Sequence, residues 1–165
     1  GSWPGYTEPP RLVMEGYTVI ARELMGQFDR YPERVYLQAG VGGLAAAMAE
    51  TIREDWSVQP DIIVVEPEFA PCLKESAEAG RLVAVEGPAS DMGRLDCKVP
   101  SMLALDVLTH CDVSYVTVSE TEASEAVAHA AELGHATTTS GAAGLAAALR
   151  DGGRGALCLL TEGSV

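Results

Sequence analysis

Apolar residues return at every third or fourth position through residues 11–28, at Leu12, Val13, Tyr17, Ile20, Leu24 and Phe28. That period predicts a long amphipathic helix, and Pro9 and Pro10 suit its first turn. The pattern then changes. Val35 to Ala39 has the composition of a short strand, while the alanine-rich run from Leu44 onward is built of strong helix formers. Residues 61–67, DIIVVEP, are apolar without alternation, as a strand buried on both faces requires. A helix is predicted over residues 70–79 with Gly80 as its C-cap, followed by a strand over residues 81–87 (RLVAVEG) and a turn-rich loop over residues 87–99. Pro100 can open a helix reaching about His110, ahead of a strand in VSYVTVS at residues 113–119. Ser119, with Glu122 three residues later, marks the capped start of a helix that ends at Gly134. A polar turn of small residues at Ser140–Gly144 precedes a helix ending near Gly152, and residues 156–163, ALCLLTEG, read as a last apolar strand.

Strands alternating with helices predict an α/β fold, a parallel sheet with helices on both faces, in three layers and a single domain over residues 1–165. Such sheets hold ligands beyond the carboxyl ends of their strands. Three of the turns fall at that edge: Gly40–Gly43, Ser140–Gly144 and Thr161–Gly163. In the first, Gly40, Gly42 and Gly43 permit positive φ and leave no side chain in a ligand's way. The free N–H groups and dipole of the helix that follows attract an anion, most often a phosphate.

Charge and composition narrow the field. Hydrophobic residues make up 47% of the 165, which excludes a disordered chain. The formal charge of −13 repels nucleic acid and anionic membranes, so neither is expected as a partner, and a phosphate must be held by local dipoles. No apolar run is long enough to span a bilayer, and the opening GSWPGYTEPP lacks the features of a signal peptide. Cys72, Cys97, Cys111 and Cys158 form no CxxC pair and show no metal-ligand spacing with His110, His129 or His135. They read as reduced thiols in a cytoplasmic protein, with no metal site.

The glycine loop admits a second reading. Gly40, Gly42 and Ala45 fit G-x-G-x-x-[GA], and Glu66 closes the next strand, where it could accept hydrogen bonds from the ribose of NAD(P). A Rossmann-type domain would leave the two later turns without a role.

Six segments read together, SWPGYTEPPRLVMEGY, LQAGVGGLAAA, VVEP, LDCKVPS, SGAAGLAAA and TEG, resemble the diaminopropionate ammonia-lyases. They also resemble the wider fold-type II pyridoxal-phosphate enzymes, which include threonine dehydratase. The segments run in the family's order from Trp3 to Gly163 and correspond to the later half to two-thirds of such an enzyme, mostly its large cofactor-binding domain. The resemblance implies pyridoxal 5'-phosphate, its phosphate held by the loop Gly40, Val41, Gly42, Gly43 and Leu44. It implies that Thr161 faces the pyridine nitrogen, that Ser140 and Gly141 open a second turn facing the ring, and that Trp3 and Tyr6 line the substrate side. The implied reaction is α,β-elimination of ammonia from diaminopropionate or a similar small amino acid.

The same resemblance leaves a gap. Such chemistry needs a lysine that binds the cofactor and moves a proton. The two lysines, Lys74 and Lys98, both lie outside the family's lysine context, which belongs to a segment ahead of this one. Thr139 also stands where relatives often carry glutamate. No catalytic residue is therefore assigned. The chain reads as a partial, C-terminal portion that binds the cofactor without a covalent bond, is inactive alone, and pairs as a homodimer or with a complementing N-terminal portion. The other expectation is a non-catalytic binding module whose apolar faces self-associate.

Overall fold

The computed structural model describes residues 1–163. Helix α1 (Glu8–Met25) leads into strand β1 (Arg34–Gln38), helix α2 (Gly43–Asp55), strand β2 (Asp61–Pro67) and helix α3 (Cys72–Ala79). Helix α4 (Met102–His110), strand β3 (Val113–Val118), helices α5 (Glu120–Glu132) and α6 (Thr139–Arg150), and strand β4 (Ala156–Cys158) follow. All strands are parallel, in the order β3-β2-β1-β4. The expected three layers are present.

Alternate residues of the central strands serve opposite faces of the sheet. Val35, Leu37, Ile62 and Val64 pack into one core with α1, α2, Leu73 of α3 and α4. Tyr36, Ile63 and Val65 pack into the other with α5 and α6. The handedness of parallel crossovers accounts for this division. Connections that step from β1 through β2 to β3 place their helices on one face, and the connection that returns past β1 to β4 must use the other. Alanines make the layers close: Ala45, Ala46, Ala47 and Ala49 of α2 are fully buried, as are Ala123 and Ala126 of α5 and Ala142, Ala143 and Ala147 of α6.

Three expectations need correction. Residues 81–87 form no strand. The place beside β2 is taken by β3, which pairs with it from Ile62↔Val113 to Pro67↔Val118, and Val85 keeps a single backbone bond to the Lys98 carbonyl. The last strand stops at Cys158, because β1 offers it register only from Arg34 to Tyr36. In α1 the buried stripe is Met14, Ala21 and the half-buried Tyr17, Ile20 and Leu24, continued by Phe28 just past the helix, while Leu12 and Val13 stay more than half exposed.

The helix starts are specified locally. Ser119 and Glu122 form a reciprocal capping box: the Ser119 hydroxyl accepts the Glu122 N–H at 3.2 Å, and the Glu122 carboxylate accepts the Ser119 N–H at 2.8 Å. Helix α3 is capped from a distance. The side chain of Glu66, in β2 and fully buried, accepts the Leu73 N–H at 2.7 Å and the Lys74 N–H at 2.8 Å. Burial pushes its carboxyl up to about 7 although both amide bonds pull the other way.

Each cap has a measurable consequence. Ser119→Ala lowers stability by about 0.5–2 kcal/mol, read by chemical denaturation. Glu66 makes stability fall with rising pH. The unfolded carboxyl ionises near 4.5 and the folded one near 7, so in that window the unfolded chain binds fewer protons. Against Glu66→Gln, wild-type stability should decline by roughly 1–3 kcal/mol as the pH rises from about 4.5 to about 7. Parallel profiles for the two proteins would contradict it.

Candidate functional site

Strand β1 hands its chain to β2 on one side and has β4 on the other, so the connections diverge at its carboxyl end. A crevice opens at such a point. Here it is a cleft of about 640 Å³, with Gly40–Leu44 on one wall and Ser140, Thr161 and Glu162 opposite, and Tyr6 at its rim.

The loop is built to present its amides. Its carbonyls are engaged by the protein: Gly40 O by the Cys72 thiol at 3.6 Å, Val41 O by the Ser101 N–H at 2.9 Å, and Gly42 O by the Ala46 N–H at 2.9 Å. The first amides of α2, at Gly43, Leu44 and Ala45, have no backbone acceptor among the described residues, and no side chain caps them. Gly42 has φ of 98°, a conformation that disfavours any side chain. A Cβ there would lie 2.9 Å from Leu73 Cδ1 and 3.1 Å from the Ala104 Cβ, so α3 and α4 also exclude one. Residues 94–97 press on Gly40 in the same way, with Arg94 O 3.1 Å and Cys97 Sγ 3.0 Å from the place of a Cβ.

Free amides at a helix start form an anion site. The charged side chains lining the cleft, Arg94 and Glu162, pair with each other. Burial pushes the Cys72 and Cys97 thiols up, so both remain neutral. Arg94, whose side chain is 74% exposed, pairs with Glu162 at 2.5 Å. An anion in this cleft would be met by the amide dipoles.

Of the other expected residues, Ser140 and Thr161 line the cleft and Gly141 lies beside them, but Ser140 and Gly141 do not form a separate turn. They sit in the first turn of α6, whose N-cap Thr138 accepts the Gly141 N–H at 3.2 Å, because the cap draws the polar run into the helix. The Ser140 hydroxyl accepts the Arg94 N–H at 3.2 Å. Tyr6 reaches the cleft and Trp3 stacks on it, with ring centroids 4.3 Å apart, without itself lining the wall.

The NAD(P) reading loses its acid. Both oxygens of Glu66 face α3, and the side chain lies outside the cleft. Both lysines are elsewhere too. Lys74 Nζ pairs with Glu78 at 2.7 Å on the surface of α3, and Lys98 Nζ bonds Phe69 O, Pro88 O and Asp96 at 2.8, 2.9 and 2.6 Å, stapling the loop over residues 88–98.

Sequence reasoning missed two features. Ser2 bonds Ser101 Oγ at 2.7 Å and accepts the Leu103 N–H at 2.7 Å, tying the N-terminal segment to α4 beside the loop. Gln38 bridges β1 to both later segments through hydrogen bonds to Gly141, Leu159 and Thr161. A polar residue ending an otherwise apolar strand was the available signal for Gln38; Ser2 had none.

Known proteins share this fold. Diaminopropionate ammonia-lyase of Escherichia coli strain K12 is 33% identical over 127 residues, which cover 74% of this chain and 32% of that protein. Biosynthetic L-threonine dehydratase of Salmonella typhimurium is 39% identical over 80 residues, 48% of this chain and 15% of the relative. The chain thus spans about a third, or less, of these curated relatives. Among solved structures, the T.th. threonine deaminase superposes with a TM-score of 0.82 at 27% identity, over 93% of this chain and 60% of that one. The E. coli diaminopropionate ammonia lyase, in complex with an aminoacrylate-PLP azomethine reaction intermediate, gives 0.72 at 26%, over 88% and 39%. The family described as pyridoxal-phosphate dependent enzymes matches residues 4–157, and the chain belongs to that family, with pyridoxal phosphate as its cofactor.

Proposed function

We propose that this chain is the cofactor-binding part of an ammonia-lyase acting by α,β-elimination on diaminopropionate or a similar small amino acid. The observation that carries the cofactor's placement is the row of uncapped amides at Gly43, Leu44 and Ala45 behind the left-handed Gly42. These groups match a phosphate in charge and shape. The ammonia-lyase relatives support the reaction class.

In this reading Gly40, Val41, Gly42, Gly43 and Leu44 hold the phosphate, and Ser140 and Gly141 flank the ring. The Thr161 hydroxyl faces the pyridine nitrogen, and Tyr6, backed by Trp3, borders the substrate. When bound, pyridoxal phosphate supplies an electron sink for the pair left at an amino acid's α-carbon. A neutral hydroxyl partner keeps the nitrogen unprotonated and so moderates that sink. Neither lysine lines the cleft to move the α-proton. Lys74 and Lys98 point elsewhere and are engaged. The 165 residues therefore bind without turnover, and the proton-transferring lysine comes from a complementing N-terminal portion, in a homodimeric cytoplasmic enzyme.

Binding isotherms with pyridoxal phosphate and with pyridoxal test this. The first should saturate, and the second should bind at least about tenfold more weakly, a difference of about 1.4 kcal/mol. Gly43→Asp, where a Cβ finds only an ordinary 3.8 Å contact with Met14, puts a carboxylate beside the amides and should abolish the difference while the circular dichroism stays native-like. Borohydride reduction should leave no label on Lys74 or Lys98 in the mass spectrum. A label on either, or release of ammonia from diaminopropionate by the chain alone, would refute the non-covalent, inactive reading.

A further inference from the structure

Gln38 is the last residue of β1 and is 2% exposed. A buried amide is costly unless its polar atoms are paired, and this one is paired on one side only. Its Nε2 lies 2.9 Å from the Leu159 carbonyl, 3.2 Å from the Gly141 carbonyl and 3.1 Å from Thr161 Oγ1. The opposite atom, Oε1, is buried without a hydrogen-bond partner. It rests against Gly144, where a Cβ would come within 2.9 Å of it and 3.1 Å of the Tyr36 carbonyl. Only a glycine leaves room for the amide in this pose.

The orientation is dictated by the partners. Two of the three are carbonyl oxygens, which only accept, so the atom that meets them is the NH₂ group. An amide nitrogen does not accept. Thr161 Oγ1, at 3.1 Å from it, is therefore the acceptor in that contact. The hydroxyl retains its own proton, for which no protein acceptor is present among the described residues, and Thr161 lines the cleft.

We infer that Gln38 is a positioning residue: it fixes the Thr161 hydroxyl as a hydrogen-bond donor into the cleft. With one lone pair taken by Gln38 and its proton unengaged, the hydroxyl offers that proton to an acceptor that meets it there. On the reading proposed above, on which this inference rests, that group is the pyridine nitrogen, and Gln38 is what holds it unprotonated. The same amide ties the residues after β4 to the first turn of α6, so one side chain sets both the place and the direction of the hydroxyl.

The test uses the whole chain with pyridoxal phosphate labelled with nitrogen-15 in its ring, read by NMR as the pH is varied. Inorganic phosphate affinity is measured in parallel. In the wild type the ring nitrogen should show the shift of an unprotonated, hydrogen-bonded acceptor and should not titrate near neutral pH. Gln38→Leu and Thr161→Val should each move that shift by a similar amount, and Thr161→Ser should restore it. The double variant Gln38→Leu/Thr161→Val should match Thr161→Val alone, as for two residues acting through one hydroxyl. Phosphate affinity should change less than about twofold in all of them, since neither side chain belongs to the amide row.

Should Gln38→Leu fail to fold, Gly144→Ala displaces the same amide from the other side and should shift the nitrogen in the same direction. A wild-type shift in a folded Gln38→Leu or Gly144→Ala protein, alongside a changed one in Thr161→Val, would overturn the role of Gln38. A wild-type chain that binds neither phosphate nor pyridoxal phosphate would instead remove the reading beneath it.

Discussion

The left-handed turn at Gly42 is the constraint on which the rest of the site depends. A side chain there would meet Leu73 and Ala104, so the turn, α3 and α4 are packed as one unit. Glu66 holds α3 in place by accepting its Leu73 and Lys74 amides, and Ser101 holds the start of α4 by donating its N–H to Val41 O. Each of these contacts occupies the protein side of the loop. What remains for the cleft is the bare start of α2. The candidate anion site is thus a consequence of how the surrounding helices are capped, and it needs no basic side chain in a chain of net charge −13.

Most of the architecture was legible in the sequence because it rests on local, periodic signals. A continuous apolar run marked β2, strand composition marked β3, and the Ser119–Glu122 pair marked the start of α5 to the residue. The glycine loop could be placed because its neighbours change period there, from strand to helix. Errors arose where a segment's fate is decided by a distant partner. The apolar stretch over residues 81–87 has strand composition, but the place beside β2 is taken by β3. The face of α1 was misjudged at Leu12 and Val13 because the helix meets α2 through Met14 and Ala21.

The candidate site shows the same division. The amide row follows from the glycines and the helix start, which lie together in the chain. Gln38 does not: its meaning comes from Gly141, Leu159 and Thr161, all more than a hundred positions away. The second reading of the glycine loop set Glu66 toward a ribose, because a strand-end acid looks the same in sequence whether it faces a cleft or a helix. Lys98 resembles a candidate anchor until its three acceptors are seen. Chemistry that depends on where a side chain points is the part that composition and spacing leave open.

On the proposed reading the cleft binds the cofactor and the proton-transferring lysine comes from elsewhere. The central claim is that the phosphate is held by the start of α2. It is tested most directly by a crystal structure of the chain grown with pyridoxal phosphate. The account predicts phosphate oxygens within hydrogen-bond reach, about 2.7–3.2 Å, of the Gly43, Leu44 and Ala45 nitrogens. Phosphate bound instead in the groove at the opposite edge of the sheet, which Arg30, Arg34 and Arg154 line, would contradict it.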